Sequence, residues 1–278
     1  MWRDNMPETW TKADWRALCP DLTIGEKIET PEIAFDVRTL EETAAHFWRE
    51  GYLVLPSILP EDALLPIRSA MERLDQQGVP PVFIYLYDQP FALFGRLNAL
   101  IRHFLGSNFA VLPNLWAWRL AKEGARGWPP HRDCTAETVF DIGGDKILMS
   151  LSLWLSLSDV DEANGCMYVL PRRQEAHLKS AEPSVEQLLA AGARALPCPA
   201  GAILGWPQDL YHWGGTYGAD AKGPRLSLSL EFQNCSFDPL AEPLLDLAAL
   251  PDFEARRQLI VRQFDKYRHI DPVLSSRL

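Results

Sequence analysis

The sequence predicts a mainly β protein with flanking helices, a β-sandwich or jelly roll buttressed by helical segments. Three observations carry this. Apolar residues recur at helical spacing only before about Leu105, in a short insertion near Ser184 and again after Pro251. Between them, two stretches alternate apolar and polar residues, the period of a strand. Further short apolar runs are separated by turn residues such as Asn164-Gly165 and Pro199-Ala200-Gly201. Many short strands following a helical region favour packed sheets.

Taken in order, the segment from about Thr39 to Gln77 reads as two helices, with apolar spacing around Leu40, Ala44 and Phe47 and again Leu64, Ile67, Met71 and Leu74. GYLVLPSIL between them is a short strand. A third helix is expected over Phe91 to Leu105, a helical insertion over Ser184 to Leu196, and a last helix over Phe253 to Tyr267. Strand candidates are Asn114 to Leu120, Cys166 to Leu170 and Ala202 to Trp206. The strongest lie at Ile147 to Ser158, where every odd position is apolar and the even positions from Ser150 are serines broken only by Trp154, and at RLSLSLEFQ. In the latter, Leu226, Leu228, Leu230 and Phe232 share one face and Arg225, Ser227, Ser229 and Glu231 the other. A row of serines with one Trp or one Arg suits a strand lining a ligand cavity; a sheet with one solvated face gives the same pattern. No repeat or linker interrupts the chain. The expectation is one domain: 1–110 a helical region with the first strands, 111–237 the β core, 238–278 a helical extension.

The chain of 278 residues is 47% hydrophobic, enough to bury a sizeable core. Its 37 acidic against 27 basic residues give a net charge of −10 with no basic run, which argues against nucleic acid or anionic membrane as partners. MWRDNMPETWTKADWR contains no uninterrupted apolar stretch, so neither a signal peptide nor a membrane span is expected there, and a soluble, cytoplasmic protein is. Cys19, Cys134, Cys166, Cys198 and Cys235 are odd in number and never paired as C-x-x-C, which argues against a disulfide scaffold or structural zinc.

His131 and Asp133 in PPHRDCT stand two apart, so on an extended backbone both side chains face one side and can grip one ion. Alone this spacing is common. It gains weight from DLYHWGG, where His212 follows a strand candidate and opens a Gly-rich loop towards the Arg225 strand. Two His and one carboxylate on one face of an ion leave positions open for a chelating cosubstrate and O₂. The guanidinium of Arg225 suits a bidentate grip on a carboxylate inside a cavity. His46, His103, His177 and His269 read as structural or solvated.

From about Asn114 to Phe232 the chain resembles the phytanoyl-CoA dioxygenase-like family of iron(II)/2-oxoglutarate oxygenases. PPHRD is similar to the family's H-x-D strand, LWLSLSDVDEANGCMYVLP to its Trp-containing strand, turn and following strand, AGAILGWPQDLYHWGG to the strand pair leading to the distal His, and GPRLSLSLEF to the Arg strand. The resemblance implies a double-stranded β-helix (jelly roll, cupin-like) core. It also implies iron(II) on His131, Asp133 and His212, with Arg225 on the far carboxylate of 2-oxoglutarate. Thr216 or Ser227 would add a hydroxyl there, and Asn114 and Trp154 are further cavity-lining candidates. The implied reaction consumes O₂ and 2-oxoglutarate, releases succinate and CO₂, and hydroxylates or desaturates a small molecule; Asp133 stands where related halogenases have a small residue and a halide. Gly214 departs from the family's small hydroxyl residue, and RRQEAH from its Gly-Ser-His turn. The loop Cys134 to Lys146 has the polarity of a lid. Two rival readings share the residues: a zinc hydrolase, which leaves Arg225 unexplained, and a non-catalytic metabolite-binding jelly roll, which leaves the His-Asp-His set accidental.

Overall fold

The computed structural model describes residues 10–28, 30–178, 180 and 182–267. The chain opens with α1 (Lys12–Leu18), started by a Thr11–Asp14 capping box, then α2 (Val37–Glu50), β1 (Leu53–Leu55) and α3 (Glu61–Gln76). Asp36 caps α2 by accepting from the Thr39 N–H, and Gly51 ends it with φ +88°, a left-handed turn that a side chain resists. The helix–strand–helix order expected from Thr39 to Gln77 is therefore present.

The single helix expected over Phe91–Leu105 is two, α4 (Gln89–Gly95) and α5 (Asn98–Leu105). Gly95 weakens the helix at the break, and the Ile33 N–H takes the Arg96 carbonyl, a partner no local pattern reveals. The expected helix from Ser184 to Leu196 covers only α6 (Val185–Ala190). Gly192, with φ +100°, turns the chain into a strand, Arg194–Leu196.

The large sheet is antiparallel throughout. It contains β2 (Phe109–Leu120), β5 (Ser150–Ser156), β8 (Ile203–Trp206) and β10 (Arg225–Asn234), in the order β1-β8-β5-β10-β2. A smaller sheet joins β6 (Met167–Val169), β7 (Arg194–Leu196) and β9 (His212–Gly214) in the order β7-β6-β9. Beside β9, residues 126–131 are held by bridges rather than as a strand. A hairpin, β3 (Val139–Ile142) and β4 (Asp145–Leu148), stands where the loop Cys134–Lys146 was expected, turned by Gly143-Gly144 with φ +65° and +95°. The long strand expected at Ile147–Ser158 is broken at Met149. Its N–H turns to the Thr138 carbonyl and its own carbonyl accepts from Asn234, which passes the chain from the hairpin into the large sheet.

Both faces of the large sheet are covered. Leu151, Leu153, Leu155, Leu226, Leu228, Leu230 and Phe232 belong to the main core together with the helices. On the opposite face Trp154, Leu204 and Trp206 pack against Met167, Val169 and Leu196 of the small sheet. The polar face of β10 is therefore turned between two sheets and not to water. No helix among the described residues is long and apolar enough to cross a membrane.

Candidate metal centre

His131 and His212 lie directly opposite each other on neighbouring segments, exchanging backbone N–H···O bonds of 3.1 and 3.0 Å. Such a pair presents both side chains on one face. Each imidazole is oriented by the same local device. Nδ1 of His131 lies 2.8 Å from the Pro129 carbonyl and Nδ1 of His212 3.0 Å from the Leu210 carbonyl, in both cases two residues upstream. A carbonyl only accepts, so each Nδ1 carries the proton and each Nε2 presents its lone pair.

Asp133 follows in a bend, its Oδ1 3.5 Å from Nε2 of His131 and 3.6 Å from Nε2 of His212. Its other oxygen accepts from the Ser152 hydroxyl at 2.8 Å. Burial opposes the carboxylate's charge, but the two imidazoles and Ser152 outweigh it and hold its pKa below the ordinary value. Burial also pushes the His212 imidazole down to about 4, against the pull of Asp133. At neutral pH the site thus offers a carboxylate and a neutral imidazole, the forms a metal binds. Atoms about 2.1 Å from one ion and 90–115° apart stand roughly 3.0–3.5 Å from one another, close to the two Asp133–imidazole separations, and all three ligand atoms lie within 4.8 Å of one another.

The triad borders a cavity between the sheets, also lined by Trp118, Trp128, Trp154, Trp206, Arg225 and Glu231. Arg225 is 0% exposed. One nitrogen donates to the Gly165 carbonyl at 2.7 Å and the guanidinium lies 5.7 and 5.8 Å from the Trp118 and Trp154 ring centres. Its Nε and Nη2 find no acceptor, and neither do the indole N–H groups of Trp128, Trp154 and Trp206 or the Ser227 hydroxyl. Native interiors leave few such groups unmatched, so this concentration of donors marks a place where an acceptor-rich ligand belongs. Burial brings the Arg225 pKa down to about 10, which leaves the cation in place at neutral pH.

Glu231 is the opposite case. Only 7% exposed, it receives the side-chain amides of Asn114 and Gln208 on a single oxygen, Oε2. Burial and the nearby Asp133 charge push its pKa up to about 8, with Lys266 and the two amides pulling the other way.

Of the residues singled out from the sequence, His131, Asp133, His212, Arg225 and Trp154 meet in the cavity, and Asn114 stands behind Glu231. Thr216 does not join them: it is exposed, bridged to Arg126 at the rim, whereas Ser227 is fully buried beside Arg225. Gly214 has a packing reason. A Cβ there would stand 2.7 Å from the Gly127 Cα and 3.1 Å from Arg225 Nη1. Residues 134–146 contribute nothing to the cavity lining. His103 and His177 are exposed, His46 packs edge-on against Tyr52, and His269 lies outside the described residues. The five cysteines are free. Glu231, Gln208 and Tyr267 were not singled out. Glu231 was legible as the acidic residue on the Arg225 face, while nothing local ties Gln208 or Tyr267 to the site.

No protein-family model matches the chain, and no curated protein sequence does. Solved structures do match. The non-heme α-ketoglutarate-dependent epimerase SnoN from nogalamycin biosynthesis is 21% identical at a TM-score of 0.53, over 72% of this chain and 82% of that one. The non-heme α-ketoglutarate-dependent carbocyclase SnoK from the same biosynthesis is 15% identical at a TM-score of 0.53, over 74% and 94%. HygX from Streptomyces hygroscopicus, solved with nickel, 2-oxoglutarate and hygromycin B, is 17% identical at 0.51, over 77% and 98%. At these identities the likeness establishes a shared fold, and the chemistry has to be argued from the site.

Proposed function

We propose that this protein is an iron(II)- and 2-oxoglutarate-dependent oxygenase with a double-stranded β-helix core, of the phytanoyl-CoA dioxygenase-like type, that hydroxylates or desaturates a small molecule. The observation that carries the reading is the meeting, in one buried cavity, of the His131–Asp133–His212 set with the unmatched donors of Arg225. A zinc hydrolase has use for the first but none for the second.

In this reading His131, Asp133 and His212 hold the metal on one face and leave its other positions open. The bound metal supplies the activation of O₂ that couples decarboxylation of 2-oxoglutarate to succinate and CO₂ with insertion of oxygen into, or removal of hydrogen from, the substrate. Arg225 fixes the far carboxylate with Nε and Nη2, and the buried Ser227 hydroxyl, not Thr216, assists it. Gly165 holds the guanidinium from behind, so little ordering remains to be done when the cosubstrate arrives. The indoles of Trp128, Trp154 and Trp206 exclude water while offering donors. Asp133 fills the position a halide would need, which favours oxygenation or desaturation over halogenation. SnoN, SnoK and HygX support the choice of cosubstrate, since 2-oxoglutarate dependence or binding is named for each.

The test is titration of 2-oxoglutarate into the anaerobic iron(II) protein, following the metal-to-ligand charge-transfer band of the chelate. A saturable band in the wild type is expected, and its absence removes the cosubstrate from the account.

A further inference from the structure

The polar face of β10 carries a second ionisable group that the metal and cosubstrate do not use. Glu231 is a buried carboxyl on the cavity wall, reached by no described Lys or Arg at ion-pair distance. Its local structure is built for it. β2 and β10 pair regularly as far as Leu230–Leu115 and then slip to Phe232–Val111, so Leu112, Pro113 and Asn114 bulge opposite Glu231. Pro113 is suited to a bulge, having no N–H to lose. The bulge aims the Asn114 amide at Glu231, and Gln208, just before the metal-bearing turn, supplies the second amide.

Aromatic rings complete the surroundings. Gln263 of α7 (Phe253–Tyr267) donates to the Pro113 carbonyl at 2.8 Å, docking the helix on the bulge. The end of α7 thereby brings Tyr267 into the cavity lining, its ring 4.1 Å from that of Trp128 and 5.3 Å from that of Trp116. A buried carboxyl that shares a cavity wall with Tyr and Trp rings offers an ammonium group a charge-assisted hydrogen bond and, at the rings, cation–π attraction.

We propose that Glu231, oriented by Asn114 and Gln208 on a cavity wall shared with Tyr267 and Trp128, is the subsite for a protonated amine of the substrate. The inference rests on the oxygenase reading of the same cavity. There, the charges of a divalent metal and of Arg225 are matched by Asp133 and the two carboxylates of 2-oxoglutarate, and the only cation that acts on Glu231 among the described residues is Lys266, which lies beyond ion-pair distance. Burial and Asp133 keep this carboxyl largely protonated before substrate binds, its pKa pushed up to about 8, and a substrate cation favours the ionised form where a neutral hydroxyl does not. Because both amides occupy Oε2, Oε1 is the oxygen that meets the ammonium. The substrate class is therefore an amine-bearing small molecule.

The experiment uses a matched pair of probes, cyclohexylamine and cyclohexanol, titrated by calorimetry at neutral pH into the anaerobic protein loaded with iron(II) and 2-oxoglutarate. Cyclohexylamine is expected to bind on the order of tenfold more tightly, the advantage of a charged over a neutral hydrogen bond. Glu231→Gln, which keeps shape and removes charge, is expected to abolish the preference. Equal affinities in the wild type, or a preference that survives in Glu231→Gln, overturn the assignment. The wild-type comparison alone decides if the variant does not fold. Recording the charge-transfer band first separates the two readings: a normal band without amine preference sinks only the subsite. Amine preference lost in Glu231→Gln without any band sustains the subsite and sinks the cosubstrate.

Discussion

Arg225 and Glu231 lie six positions apart on the same face of one strand, both buried and both lining one cavity, yet the protein treats them oppositely. The cation is held by one carbonyl and keeps two nitrogens unmatched, whereas the carboxyl has one oxygen saturated by two amides. In a water-poor interior an unmatched donor is a cost that folding alone does not justify. The Arg225 end is therefore organised for an acceptor arriving from outside, and the Glu231 end is organised to keep a carboxyl oriented. The His131–Asp133–His212 set is tied to this face through Ser152, which pairs with Glu231 across the strands and donates to Asp133.

The harshest way to break the comparison is to remove the Arg225 end. Arg225→Ala is expected to weaken 2-oxoglutarate binding by about 2–5 kcal/mol, roughly thirtyfold or more, with metal binding nearly intact. Arg225→Lys recovers only part, because an ammonium cannot make a two-pronged contact. The charge-transfer titration measures both, and an unchanged midpoint in Arg225→Ala rules out the assigned role.

A subtler blow falls on the backing of the same end. In Gly214→Ala the new Cβ meets the Gly127 backbone at 2.7 Å and Arg225 Nη1 at 3.1 Å, with no flexible side chain to yield at Gly127. The expected cost is about 1–3 kcal/mol in urea unfolding, the usual range for overpacking, accompanied by a weaker 2-oxoglutarate midpoint as Arg225 is displaced. Full stability with a normal midpoint would show that the two glycine backbones are not in close contact.

At the Glu231 end the corresponding support is Gln263. Its amide donates to the Pro113 carbonyl, and its Oε1 lies 3.4 Å from the Leu115 N–H. Gln263→Leu leaves these bulge groups without partners and is expected to cost about 1–2 kcal/mol in denaturant unfolding. Amine selectivity should fall with it, as Tyr267 loses its anchor, while the 2-oxoglutarate midpoint stays near that of the wild type. A shift at the Arg225 end instead would mean that the two ends are not independent.

How much of this was legible depends on the range of the interactions. The faces of β5 and β10 follow from strict Leu/Ser alternation, since a period of two survives any packing, and the His131–Asp133 spacing needed only a locally extended chain. The breaks at Met149 and Arg96 were not legible, because Thr138 and Ile33 impose them from elsewhere in the chain. Periodicity also placed α7 from Phe253 to Tyr267. It identifies an apolar face but not what that face meets, so the arrival of Tyr267 at the cavity stayed hidden. The cavity itself could be anticipated from the serine rows; the bulge that equips it for Glu231 could not.

The smallest expected effect concerns the hydroxyl beside Arg225, for which the sequence left Thr216 and Ser227 open. Thr216 is exposed at the rim, so Thr216→Ala should change neither stability nor the 2-oxoglutarate midpoint by more than about 0.5 kcal/mol. Ser227 is 0% exposed, and its Oγ has no partner. Removing an unmatched buried hydroxyl takes away a desolvation cost, so Ser227→Ala should leave the cosubstrate-free protein as stable as the wild type or slightly more so. With 2-oxoglutarate present the sign reverses. A hydroxyl that donates to the bound carboxylate contributes about 1–2 kcal/mol, and its loss should weaken the midpoint roughly five- to thirtyfold. Thermal unfolding of each variant with and without 2-oxoglutarate, alongside the charge-transfer titration, reads both effects. A midpoint that moves in Thr216→Ala and stays fixed in Ser227→Ala would transfer the role to the rim, and would mean that the far carboxylate lies nearer the 126–131 segment than the strand bearing Arg225.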